Sequence, residues 1–111
     1  MRKVLFVFLS LACFSLTSSN AAVYKGQKYF VKTCVKCHDS GQAFVSEFKM
    51  KQWKKWMNKK GKLLAKIHIE SEKAQESHKY FQSKAFAKQS KHLKQFLVEY
   101  AKDSGNVPAC N

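Results

Sequence analysis

Residues 33–41 read TCVKCHDSG, which sets Cys34 and Cys37 three positions apart and places His38 directly after the second thiol. In a chain of 111 residues, such a cluster decides what the core can be built around. A C-x-x-C turn admits a metal site, a redox dithiol or a covalently held haem. The compartment and the surrounding elements choose among them.

The N-terminus speaks to compartment. Arg2 and Lys3 precede an uncharged apolar run, residues 4–14, followed by SLTSSNAA. A basic start, a short apolar stretch and small residues at a cut site make a secretory signal. The run is well short of the roughly 20 residues a membrane-spanning helix needs. Cleavage after Ala21 assigns residues 1–21 to a signal peptide and residues 22–111 to the exported domain, which points to the periplasm. Acylation of Cys13, in LSLAC, is the rival reading; Ser10 stands where a lipoprotein signal has a bulky aliphatic residue.

About 90 residues make one small domain whose own core is marginal, so a disulfide, a metal or a bound group is expected as a staple. Beyond the leader the cysteines are Cys34, Cys37 and Cys110. An odd number argues against a disulfide framework, because one thiol is left over.

One proline, Pro108, and four glycines leave little to interrupt helices. Apolar residues recur at three- and four-residue steps, and no alternating strand pattern of useful length appears. Gly26, Phe30 and Cys34 share a face of a first helix. Met50, Trp53 and Met57 share another, with Trp56 beside them, and Gly61 breaks that run. Leu63, Leu64, Ile67 and His68 form the next stripe, then Ala74, His78, Phe81 and Ala85. The last helix carries Leu93, Phe96, Leu97 and Tyr100, with Gly105 suited to its C-terminal cap. The expectation is one compact all-α domain.

In that setting C-x-x-C-H reads as haem c attachment. Two thiols on one turn can add to the two vinyl groups on one edge of the macrocycle, and His38 then offers an imidazole to the iron as proximal ligand. Phe44, Phe48, Trp53, Trp56 and Phe81 suit the walls of such a pocket; ordinary helix packing is the plainer reading of any one of them. Structural zinc needs four ligands, and the second close ligand pair is absent. A thioredoxin-like dithiol needs a strand–helix context, which the pattern does not offer.

The Gly26, Phe30, Cys34, Cys37 and His38 constellation resembles the N-terminal helix of small c-type cytochromes. That resemblance implies a C-terminal helix crossing closely over the glycine, with an aromatic seated against it. HLKQFLVEYAK looks like this partner helix, with Phe96 or Tyr100 as the aromatic. It implies the fold as well: a small cytochrome c-like helical domain packed around one covalently attached haem.

The second axial ligand departs from that pattern, since no methionine follows Met57. The segment MKQWKKWMNKKGKLLAKIH is similar to part of some small dihaem-type periplasmic cytochromes, which implies Trp53 as a pocket tryptophan and His68 as distal ligand. Local spacing agrees, because His68 follows Leu64 by four residues on an inward stripe. His78 comes next, then Met57, then an open iron site.

Charge bears on partners. All seven acidic residues lie beyond the leader, so losing Arg2 and Lys3 lowers the net charge by two, from +14 to +12. Lys49, Lys51, Lys54, Lys55, Lys59, Lys60, Lys62 and Lys66 crowd one stretch. Such a field favours acidic proteins and anionic lipid head groups, and an exported chain seldom meets nucleic acid. A solvated surface with no partner is the bland alternative. The resulting expectation is an electron carrier between respiratory partners rather than an enzyme. Its alternatives are a haem enzyme or sensor with an open iron for peroxide or a diatomic gas, and a haem subunit of a membrane complex.

Overall fold

The computed structural model describes residues 18–108, with side chains from residue 21 onward. Cys13 and Cys110, with the expectations attached to them, lie outside the described residues, as does most of the leader. Helix α1 spans Ser18–Thr33, so the expected cut after Ala21 falls in its first turn. A 3₁₀ turn, Gly41–Glu47, leads to α2 (Met50–Ile69). A short 3₁₀ turn, Glu72–Ala74, precedes α3 (Gln75–Phe81), and α4 runs Lys84–Glu99. Among the described residues every regular element is helical, and no helix is long and apolar enough to cross a membrane. The domain is all-α.

The crossing of α1 and α4 is made possible by a missing side chain. A Cβ on Gly26 would lie 2.0 Å from the His92 carbonyl oxygen and 2.8 Å from the Phe96 Cβ. Only glycine allows that backbone approach. One helical turn along α1, Phe30 meets Phe96 at 5.4 Å between ring centroids. Phe96 therefore fills the contact, and Tyr100 packs behind it at 5.3 Å. The core continues through Val45, Trp53, Met57, Phe86, Leu93 and Leu97, all buried.

Helix α2 is two helical segments joined by a left-handed connection. Asn58 is extended, and Lys59, Lys60 and Gly61 have φ of 51°, 58° and 74°. Gly61 is thus the break the sequence announces, but the break begins three residues earlier. Space as well as φ demands the glycine, since a Cβ there would lie 2.5 Å from Phe86 Cζ. The first turn of α2 is tied to the far end of the chain. Met50 N–H donates to Asp103 Oδ1 at 2.8 Å, and Lys102 N–H donates to the Phe48 carbonyl at 2.8 Å.

Three details differ from the periodicity reading. The stripe from Ala74 to Ala85 is not one helix: α3 stops at Phe81, and Ser83 caps α4 by accepting from Phe86 N–H at 3.3 Å. A side-chain oxygen free to take an orphan N–H wins over the continuing apolar spacing. Ile67 is 46 % exposed rather than inward. Gly105 does adopt positive φ, yet α4 has already ended, with Tyr100 as its C-cap.

Candidate functional site

The cysteine motif leaves α1 through a series of tight turns. Cys34 N–H donates to the Phe30 carbonyl at 2.8 Å, His38 N–H to the Cys34 carbonyl at 3.0 Å, and Gly41 N–H to the His38 carbonyl at 2.9 Å. Gly41, at φ 63°, turns the chain into the first 3₁₀ segment. This path brings Cys34, Cys37 and His38 onto the lining of one cavity of about 720 Å³. That size lies within the range of small-molecule and cofactor pockets.

The opposite wall comes from the second half of α2 and from α3. His68 lines the same cavity, and its ring centroid lies 6.3 Å from that of His38, with the ring planes at 83°. A metal–imidazole bond is about 2.0 Å long, so two imidazoles on opposite sides of one ion put their centroids about 6 Å apart. The His68 Nδ1 lies 2.8 Å from the Leu64 carbonyl. A carbonyl can only accept, so Nδ1 carries a proton, and in the neutral tautomer that this bond selects the free lone pair is on Nε2.

Each histidine rests on its own aromatic array. His38 stacks on Phe44 at 3.9 Å and 21°, and Phe44 meets Phe48 and Trp53 edge-on. His68 stacks on Phe81 at 4.1 Å and 26°, and Phe81 meets Phe86 and Tyr80. Trp53 is held by its indole N–H, which donates to the Val45 carbonyl at 2.9 Å. Phe44, Phe48, Trp53, Trp56 and Phe81 all line the cavity, so the aromatic residues expected at a pocket wall converge there.

Burial, followed by the nearby His68, pushes the His38 imidazole below its ordinary value, with Glu47 and Asp39 opposing. The neutral form, the one that can ligate a metal, is favoured. Burial pushes the Cys34 thiol up, partly offset by the Thr33 hydroxyl, which lies 3.5 Å from the sulfur. Burial also pushes the Tyr80 phenol up to about 12. Its hydroxyl donates to Gln89 Oε1 at 2.6 Å.

The two substitutes for His68 lie elsewhere. The His78 Nε2 lies 2.9 Å from the Ser71 carbonyl, and His78 does not line the cavity although its neighbour Ser77 does. Met57 is 2 % exposed and packs in the core next to Gly61, also away from the lining. Among the described residues no three histidine, cysteine or carboxylate side chains converge on one metal position. A four-ligand zinc site therefore lacks its donors there. Among the described residues there is also no strand to make a strand–helix redox turn.

Periodicity missed some of the walls. Thr33, Tyr80, Phe86, Leu93 and Leu97 line the cavity too. Phe86, Ser90, Leu93 and Leu97 recur at four-, three- and four-residue steps and are all buried, a signal present in the sequence. All eight lysines of the 49–66 stretch are exposed, and Lys36 and Lys73 stand at the cavity. Comparison with protein-family models, curated proteins and solved structures finds no match to this chain.

Proposed function

We propose that the chain holds one haem c through thioether bonds to Cys34 and Cys37, with His38 and His68 as axial ligands, and relays electrons between exported redox partners. The observation that carries this reading is the pair of imidazoles 6.3 Å apart across an aromatic cavity that also exposes both cysteine side chains. The donor set suits a haem better than a bare ion. The macrocycle brings four nitrogens of its own and asks the protein for two. When bound, the group supplies one-electron redox chemistry at its iron.

The chain's own residues do the rest. Cys34 and Cys37 fix one edge by covalent links. His38 and His68 would hold the iron, and with both as ligands the site would favour electron relay over substrate binding. Phe44, Phe48, Trp53 and Phe81, which line the cavity, would exclude water from the bound group. The exposed lysines of the 49–66 stretch give a positive surface for acidic partners or anionic head groups, with fast, weak and salt-sensitive encounters.

The test is production in a host equipped for thioether coupling. The chain should gain the mass of one haem and give a low-spin ferric spectrum, and its ferrous form should not bind carbon monoxide. His68→Ala should keep the added mass but become high-spin and bind carbon monoxide. A colourless product without added mass overturns the reading. A low-spin His68→Ala variant removes His68 from its role.

A further inference from the structure

We infer that the fold locks the two axial imidazoles with their planes perpendicular, and that Phe44, Phe81 and the Leu64 carbonyl are the positioning groups. This rests on the haem reading above and concerns the electronic state those histidines impose. The planes of His38 and His68 stand at 83° to one another. Neither ring is free to turn. His38 lies nearly parallel to Phe44, at 21° and 3.9 Å, so rotation about its axis would drive its edge into the phenyl face. His68 is restrained twice, by Phe81 at 26° and 4.1 Å and by the hydrogen bond from Nδ1 to the Leu64 carbonyl at 2.8 Å. A partner on the second nitrogen of a ligating histidine fixes its tautomer and its rotation.

The stacking partners are themselves held. Phe44 is wedged by Phe48 and Trp53, and Phe81 by Phe86 and Tyr80. These groups come from separate elements: the first 3₁₀ turn holds His38, while α2 and α3 hold His68. No local chain geometry makes the two planes agree, so the angle is set by tertiary packing.

The angle has an electronic consequence. An imidazole overlaps mainly the iron dπ orbital perpendicular to its own plane. Parallel planes raise one dπ orbital above the other, and perpendicular planes act on both alike. Near-degenerate dπ orbitals leave orbital angular momentum unquenched in the ferric ion. Its spin-resonance spectrum is then dominated by a single large-g feature instead of three resolved lines.

Low-temperature spin resonance of the ferric holoprotein tests this directly. The parent should show the single large-g low-spin signal. Phe44→Leu should move it toward a three-line rhombic spectrum. Phe81→Leu, in which His68 keeps its hydrogen bond to the Leu64 carbonyl, should move it in the same direction but less. Phe81→Tyr, which keeps a ring to stack on, should retain the parent signal. A rhombic bis-imidazole spectrum in the parent overturns the perpendicular lock and leaves the ligand assignment standing. A high-spin parent overturns the ligand assignment beneath it. The parent spectrum alone decides between these, and an unchanged large-g signal in a folded Phe44→Leu or Phe81→Leu variant removes that ring from its positioning role.

Discussion

At the scale of single residues, Gly26 sets two physical effects against each other. Helix propensity favours alanine over glycine inside α1 by about 0.5–1 kcal/mol. Packing opposes it, because the new Cβ would meet the His92 carbonyl oxygen at 2.0 Å, and a backbone atom cannot swing away as a side chain can. Overpacking of this kind costs about 1–3 kcal/mol, so packing wins. Gly26→Ala is therefore expected to lower the urea midpoint of the folded chain, followed by circular dichroism. A raised midpoint would mean that α1 and α4 do not cross this closely. The same scale explains which parts of the site could be read in advance. Cys34, Cys37 and His38 lie within one five-residue stretch of the chain, so the motif they form is local and visible. His68 could be nominated from its place on a stripe, but its distance from His38 depends on how α2 turns at residues 58–61.

At the scale of elements, that turn is the least legible feature. Gly61 marks a break, yet nothing in Lys59 or Lys60 announces left-handed backbone, which L-residues adopt at a cost of about 1–2 kcal/mol each. The connection is imposed from outside, by Phe86 seated against Gly61 and by the separate packing of the helical segments on either side. Lys60→Gly should relieve part of that cost. The gain is reduced by glycine's greater freedom in the unfolded chain, leaving a stabilisation of a few tenths to about 1 kcal/mol. Lys55→Gly, in the regular first half of α2, should instead lose about 1 kcal/mol. Opposite shifts in the urea midpoint are the expected pair of results; two losses would count against the left-handed connection. The boundary between α3 and α4 failed in the reading for a related reason. Ala74, His78, Phe81 and Ala85 keep helical spacing by sequence, and spacing alone cannot register that Ser83 has left the helix to cap the next one.

At the scale of the whole molecule, the question is what makes so small a chain fold. The all-α class follows from the scarcity of proline and the three-and-four periodicity, and the structure bears it out. The stability does not follow so simply. The aromatic side chains that line the cavity belong to all the principal elements: Phe30 from α1, Phe44 from the first 3₁₀ turn, Trp53 from α2, Phe81 from α3 and Phe86 from α4. Some pack edge-on against one another, as Phe44 does with Trp53 and Phe81 with Phe86, and all of them also line one volume of about 720 Å³. Each Å² of that surface covered by an apolar group is worth about 25 cal/mol. A ligand bound only by the folded form adds its binding free energy to folding, and the two proposed thioether links would keep a haem at hand. The haem-free chain, made without the coupling machinery, is therefore expected to be less stable than the loaded one by several kcal/mol. With each kcal/mol moving the midpoint by about 4–8 °C in a domain this small, the gap should reach roughly 15 °C or more. Melting both forms by circular dichroism measures it, and the loaded form should also melt more cooperatively. Equal midpoints would mean that α1 and α4, joined over Gly26, hold the domain without help, and that the cavity walls contribute nothing to folding.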